Sequence, residues 1–112
     1  MVVDESFMDF VEAKDKYTVI DYINKFDNLF ILRSFTKIFS IPGVRLGYGL
    51  SHKNLINKME AHRDPWSVNV WAQLIGEKLL DKDKYCQECR EEITSEKDRL
   101  YESLSKIDGI RP

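Results

Sequence analysis

The sequence predicts an α/β fold, in which about three mostly parallel strands are joined by a crossover helix and followed by further helices. Val2 and Val3 open the chain as a short strand, and "NLFILRS" is a continuous apolar run, typical of a strand covered on both faces. Neither glycine nor proline interrupts the chain from residue 84 to residue 106, which predicts a long helix of about 35 Å.

The segment between the first two strands has the pattern of a helix. Five of its apolar residues recur at helical spacing, namely Val19, Ile20, Tyr22, Ile23 and Phe26. Strand, helix and strand in this order form a βαβ unit, whose crossover is nearly always right-handed. The sequence therefore predicts that the first two strands are parallel.

A turn and a third strand follow. Pro42 and Gly43 predict the turn, and Gly47 and Gly49 in the strand would allow neighbouring groups to approach closely. Ser51 is predicted to cap a short helix that begins after this strand.

The chain is predicted to be helical after a break at Pro65. One helix carries an apolar face made of Trp71, Leu74, Ile75 and Leu79. In the long last helix, apolar residues recur every seven positions at Cys86, Ile93, Leu100 and Ile107. A helix of this length usually bridges two domains or two subunits.

Composition excludes several classes of protein. The 112 residues suffice for one domain, and a net charge of -2 with mixed signs argues against nucleic acid or an anionic membrane as a partner. The chain shows no membrane-spanning stretch or signal peptide, so we expect a cytoplasmic protein. Cys86 and Cys89 are too few for a disulfide framework or a zinc site, and we expect buried, reduced thiols and no metal.

The chain ends carry a further expectation. "MVVDE" begins directly with a strand, and "DGIRP" stops just after a turn signal. Ends of a complete domain usually lie outside its packed elements, so we expect an internal piece of a longer protein.

The segment "FILRSFTKIFSIPGVRLGYG" brings together three polar residues that are ordinary one by one. Apolar neighbours around Lys37 would partly desolvate its amine and favour the neutral, nucleophilic form. The hydroxyl of Ser34 and the guanidinium of Arg45 suit a phosphate. Pyridoxal phosphate carries both the aldehyde and the phosphate that such a set would recognise.

"SFTKIFSIPGVRLGYG" resembles the Schiff-base segment of fold-type I pyridoxal-phosphate enzymes, and "VVDESFMDF" resembles the strand before it in that family. The resemblance implies that Lys37 bonds the cofactor aldehyde, that Ser34 and Arg45 hold its phosphate, and that Asp4 pairs with its pyridine nitrogen. Many relatives carry a tyrosine three residues after this aspartate. Phe7 stands there in this chain and can supply packing only.

Within that family the pattern is most similar to the histidinol-phosphate aminotransferase branch. "DPWSVNVWAQ" resembles a segment of threonine-phosphate decarboxylases, the cobalamin-pathway members of this branch. Trp66 and Asn69 in this segment are candidates for the edge of the active site, but a core tryptophan and a helix cap at Ser67 or Asn69 are the stronger interpretations.

The resemblance also implies a domain division and partners. Residues 1–82 would be part of the cofactor-binding large domain, and residues 83–112 would form a helix leading toward a small domain that this chain lacks. We expect an amino-acid substrate, a homodimer, and no catalysis by the isolated chain. The alternative is a non-catalytic remnant of the large domain that associates with itself through exposed apolar surfaces.

Overall fold

The computed structural model describes all 112 residues, as a three-stranded sheet followed by helices. The strands are β1 (Val2–Asp4), β2 (Phe30–Ser34) and β3 (Gly47–Ser51). The α-helices are α1 (Lys14–Tyr17), α2 (Phe35–Ile38), α3 (Lys53–Glu60), α4 (Val70–Leu79) and α5 (Asp83–Ser105). Three 3-10 turns lie at Met8–Phe10, Ile20–Tyr22 and Pro42–Val44. The α/β class and the long last helix are confirmed, and none of the helices combines the length and apolar character needed to cross a membrane.

The sheet has the order β1-β2-β3 and is mixed. β1 and β2 are parallel, as the sequence predicts, with Val3 opposite Ile31. β3 runs antiparallel to β2, with Gly47 opposite Ser34. The connection between these two strands holds only α2 and one 3-10 turn, so the chain returns to the end of the sheet that it has just left.

The predicted crossover helix over residues 19–26 is wrong. The chain forms α1 and then a separate 3-10 turn, and the backbone between them is extended at Thr18. The N–H of Val19 donates to the carboxylate of Glu5 at 2.8 Å, and the Thr18 hydroxyl donates to the same carboxylate. The local apolar spacing predicts a helix, but residues 19–26 contain one 3-10 turn, and Glu5 holds the chain at the break before this turn.

The start of α3 also differs from the prediction. His52, and not Ser51, caps this helix, because its ring nitrogen accepts a hydrogen bond from the N–H of Asn54 at 3.3 Å. Ser51 is the last residue of β3, and its hydroxyl donates to the carbonyl of Leu29.

The predicted close approach at the two strand glycines is confirmed. A Cβ atom at Gly47 would lie 2.9 Å from the carbonyl oxygen of Arg33, and one at Gly49 would collide with the ring of Phe30. Neither position has room for a side chain unless its neighbour moves.

The core is centred on β2. Its buried apolar residues are Leu29, Ile31, Ile38 and Ala72. The helices leave large apolar side chains exposed, and Trp66 is 92% exposed, so the interpretation of this residue as a core tryptophan is wrong. Cys86 and Cys89 are free thiols, as predicted, but they are half-buried and not buried.

Candidate active site

Asp4, Ser34 and Arg45 lie at one edge of the sheet, although Asp4 does not line the cavity found there. Asp4 ends β1 and Ser34 ends β2, and because these strands are parallel their carboxyl ends lie at the same edge. β3 starts at this edge, and Arg45 lies two residues before it. Ligands in open α/β sheets bind at this kind of edge.

Ser34 starts α2 as its N-terminal cap. Its Oγ accepts a hydrogen bond from the N–H of Thr36 at 3.2 Å and lies 2.8 Å from the hydroxyl oxygen of Thr36. Sequence reasoning missed Thr36 as a site residue. The spacing of two hydroxyl residues, one before and one inside the first turn, was the signal that could have indicated it.

Arg45 has a left-handed backbone conformation, with φ of 59°. Residues other than glycine adopt this conformation rarely, and such strain is typical of functional positions. The side chain is exposed, and its Nη1 donates to the carbonyl of Pro42 at 3.3 Å.

Ser34 and Arg45 line the same cavity, which has a volume of about 390 Å³. The hydroxyl residues Ser6 and Thr36 line it as well. Hydroxyl donors and a guanidinium in one concave site are the groups that bind a phosphate. The cavity therefore fits the phosphate end of pyridoxal phosphate.

Lys37 lies in α2, three residues after Ser34, but it does not line this cavity. Its side chain is exposed, so the expected desolvation by apolar neighbours is wrong. Ile38, the next residue, is buried in the core, and the lysine between it and Thr36 extends to solvent. The Lys37 Nζ lies 5.6 Å from the centroid of the Phe7 ring, within the range of a cation–π contact.

Asp4 is exposed, and its Oδ1 accepts a hydrogen bond from the N–H of Ser6 at 2.9 Å. Hydrogen bonds from the hydroxyl and the N–H of Ser6 lower the pKa of Asp4, so its carboxylate is charged at neutral pH. A charged carboxylate at this edge fits the protonated pyridine nitrogen of the cofactor.

A buried ion pair beside the candidate site was not predicted from the sequence. Glu5 and Arg33 form it, with 2.6 Å between the Oε2 and Nη2 atoms, and both side chains are at least nine-tenths buried. Glu5 follows Asp4, and Arg33 precedes Ser34. The sequence signal was an acidic and a basic residue beside two predicted site residues, and the register that pairs them, in which Asp4 is opposite Leu32, comes from the structure.

Tyr48 lines the same cavity as Ser34, and its ring centroid lies 5.1 Å from that of Phe35. Burial, with a smaller contribution from the carboxylate of Asp9, raises the pKa of the Tyr48 phenol. The phenol is therefore neutral at physiological pH. No group of three or more His, Cys, Asp or Glu residues is arranged to hold a metal ion.

Comparison with known proteins identifies the family. The sequence model for aminotransferase class I and II matches residues 1–112, the whole chain. The chain belongs to this family. Class I and II aminotransferases depend on pyridoxal phosphate, the cofactor that the residues of the candidate site fit.

Curated relatives of this chain carry two different activities in their names. A Caldanaerobacter subterraneus subsp. tengcongensis protein, provisionally named threonine-phosphate decarboxylase, is 37% identical over 98% of the chain and 30% of its own length. A histidinol-phosphate aminotransferase of Methanosphaera stadtmanae is 34% identical over 98% of the chain and 29% of its own length. The chain thus spans about a third or less of these relatives.

Solved structures agree with this family assignment. The histidinol-phosphate aminotransferase of Clostridium acetobutylicum superposes with a TM-score of 0.87 at 32% identity, over 99% of this chain and 33% of that one. A decarboxylase from Sulfurospirillum multivorans superposes with a TM-score of 0.76 at 29% identity, over 96% of this chain and 28% of that one. The chain therefore has the fold of part of these enzymes.

Proposed function

We propose that this chain supplies the cofactor-binding segment of a pyridoxal-phosphate enzyme that acts at Cα of an amino acid or amino-acid phosphate. The observation that carries the proposal is the shared cavity of Ser34 and Arg45, with Lys37 one turn of helix further along the chain. Family membership over the whole chain supports it.

Each residue has a role that follows from its chemistry. Ser34, Thr36 and Arg45 bind the phosphate, and Asp4 keeps a proton on the ring nitrogen. Lys37 would hold the cofactor through its amine, which condenses with an aldehyde and releases water. The bound cofactor provides an electron sink for a bond broken at Cα.

The substrate class follows from the relatives. Both a threonine-phosphate decarboxylase and histidinol-phosphate aminotransferases are named among them, so we propose a phosphorylated amino acid or amino alcohol as substrate. The reaction depends on which Cα bond is held perpendicular to the cofactor ring, hydrogen for transamination and carboxylate for decarboxylation. Within this proposal, a decarboxylase would serve cobalamin biosynthesis, and the enzyme would work in the cytoplasm.

The assembly is part of the proposal. Residues 1–82 would form part of the large domain, and residues 83–112 would lead toward a small domain. The enzyme would be a homodimer. Large apolar side chains exposed on the helices support a covered surface in the assembled enzyme, for example Trp71, which is 69% exposed.

The same exposed side chains favour a second candidate, a non-catalytic remnant that associates with itself. Gel filtration with light scattering over a hundredfold range of concentration tests it. A mass that rises with concentration supports self-association, and a monomer throughout contradicts it.

Reductive trapping tests the cofactor site. We expect the chain with pyridoxal phosphate and borohydride to carry a pyridoxyl group on Lys37, located by peptide mapping, and the Lys37→Ala variant to lack it. Lys25→Ala is the matched control, because the Lys25 Nζ also lies over an aromatic ring, 4.9 Å from the centroid of Tyr22. A label spread over many lysines and unchanged in Lys37→Ala would contradict the proposal.

A further inference from the structure

The ion pair of Glu5 and Arg33 joins three parts of the chain. Glu5 follows β1, Arg33 lies in β2, and the pair also contacts Thr18 and Val19 in the crossover. Arg33 Nη1 lies 3.5 Å from the carboxylate of Asp9. A buried charge is unfavourable unless it is paired, so this network fixes the relative position of all three segments.

The two charged residues of the network are chain neighbours of the two ends of the candidate site. Asp4 precedes Glu5 by one residue, and Ser34 follows Arg33 by one residue. The N–H of Glu5 also donates to the carbonyl of Leu32 at 2.9 Å, which continues the β1–β2 register past the end of β1. Any shift of β1 along β2 would therefore change the separation of the aspartate and the serine.

The two terminal nitrogens of Arg33 contact side chains of the chain itself. Nη2 contacts Glu5 and the hydroxyl of Thr18, and Nη1 contacts Asp9. Although Arg33 lines the cavity together with Ser34 and Arg45, its charge is neutralised by these carboxylates. Arg45 is left as the guanidinium in the cavity that no carboxylate neutralises.

We propose that Glu5 and Arg33 are positioning residues that set the distance between the ring end of the cofactor site, at Asp4, and its phosphate end, at Ser34. This inference rests on the proposed function. It predicts that a ligand spanning both ends depends on the ion pair, whereas a ligand that occupies only the phosphate end does not.

Two probes of different length test the inference. Pyridoxal phosphate spans the site, and inorganic phosphate contacts only the phosphate end; phosphorus NMR titration gives the dissociation constant of each. For Glu5→Gln we expect the constant for pyridoxal phosphate to rise about tenfold or more, because misplacement by a fraction of an ångström weakens a ligand held at two points. The constant for phosphate should change less than about twofold.

Control variants separate positioning from folding. Glu12→Gln removes an exposed carboxylate from the same segment and should change neither constant. If Glu5→Gln does not fold by circular dichroism, Thr18→Val decides, because it removes one hydroxyl from the network and keeps both charges. We expect Thr18→Val to raise the dissociation constant for pyridoxal phosphate by about threefold.

The outcomes distinguish the inference from the proposed function. If both constants rise together, the network has a merely structural role, and if neither changes, it has no role in the site; either result overturns the inference alone. If the parent chain binds pyridoxal phosphate without label on Lys37, the proposed function fails and the inference fails with it.

Discussion

The sheet part of the chain, residues 1–51, and the helical part, residues 52–112, are stabilised differently. Five of the six buried residues lie in the sheet part, and Ala72 is the one buried residue among the helices. The ion pair of Glu5 and Arg33 also lies in the sheet part. The candidate site is therefore built entirely on the part of the chain that contains its own core.

The helical part rests on the sheet part through a few contacts. The rings of Phe39 and Tyr85 stack with 5.5 Å between their centroids, and Arg90 donates to the carbonyl of Asp9 at 3.1 Å. Asn69 Nδ2 donates to the carbonyl of Val44 at 3.1 Å. Burial, and not helix length, therefore distinguishes the two parts of the chain.

The largest expected effect comes from truncating the core of the sheet part. Ile31→Ala should lower the free energy of unfolding by about 2–5 kcal/mol, since Ile31 is fully buried in the central strand. Leu100→Ala, in α5, should lower it by less than about 1 kcal/mol, because Leu100 is 51% exposed. Urea denaturation followed by circular dichroism measures both. Equal effects would show that α5 is packed in solution as firmly as the central strand.

A smaller effect is expected at the join between the two parts. Asn69 caps α4, with its Oδ1 accepting from the N–H of Ala72 at 2.9 Å, and also bonds the carbonyl of Val44. Asn69→Ala should lower the free energy of unfolding by about 1 kcal/mol, the usual effect of losing a helix cap.

Ser67→Ala is the control for this variant. The sequence leaves Ser67 and Asn69 open as the cap of α4, and the structure assigns the cap to Asn69. Ser67→Ala should change the free energy of unfolding by less than about 0.5 kcal/mol, as exposed substitutions usually do. The reverse order of the two variants would show that the helix starts at Ser67.

Local patterns in the sequence predicted the features that depend on local spacing. The long α5, the strand β2 and the clustering of Ser34 with Arg45 follow from residues close together in the chain. A cap at Asn69 was one of two possibilities, and the structure selects it.

Features that depend on distant contacts could not be predicted in this way. The crossover segment over residues 19–26 contains a 3-10 turn in place of the predicted helix, and its start is held by Glu5, which lies fourteen residues before Val19 and accepts its N–H. Lys37 is exposed because its apolar neighbours along the chain pack elsewhere, as Phe39 does against Tyr85. The antiparallel direction of β3 follows from the short connection that precedes it. The pattern of residues within a strand does not indicate whether the strand runs parallel or antiparallel to its neighbour.

The smallest expected effect concerns Tyr48, which is partly buried in the sheet part. Its pKa is raised mainly by burial, so the folded chain retains the phenol proton to a higher pH than the unfolded chain does. Below the ordinary tyrosine pKa of about 10 the phenol is protonated in both the folded and the unfolded chain, and the contribution of Tyr48 to the free energy of unfolding is then complete. As the pH rises above this value the unfolded chain ionises first, and the stability is lost. Between about pH 9 and pH 11 the free energy of unfolding should therefore fall less for Tyr48→Phe than for the parent. At pH 7 the two chains should differ little in this free energy.

Tyr101→Phe, on α5, is the control for this measurement, because Tyr101 is 57% exposed in the helical part. Urea midpoints across the pH range should follow the parent for Tyr101→Phe and diverge from it for Tyr48→Phe. Parallel curves for all three chains would mean that Tyr48 is as accessible to water as Tyr101. The cavity that Tyr48 lines with Ser34 and Arg45 would then be open in solution, and the sheet part would not differ from the helical part at the candidate site.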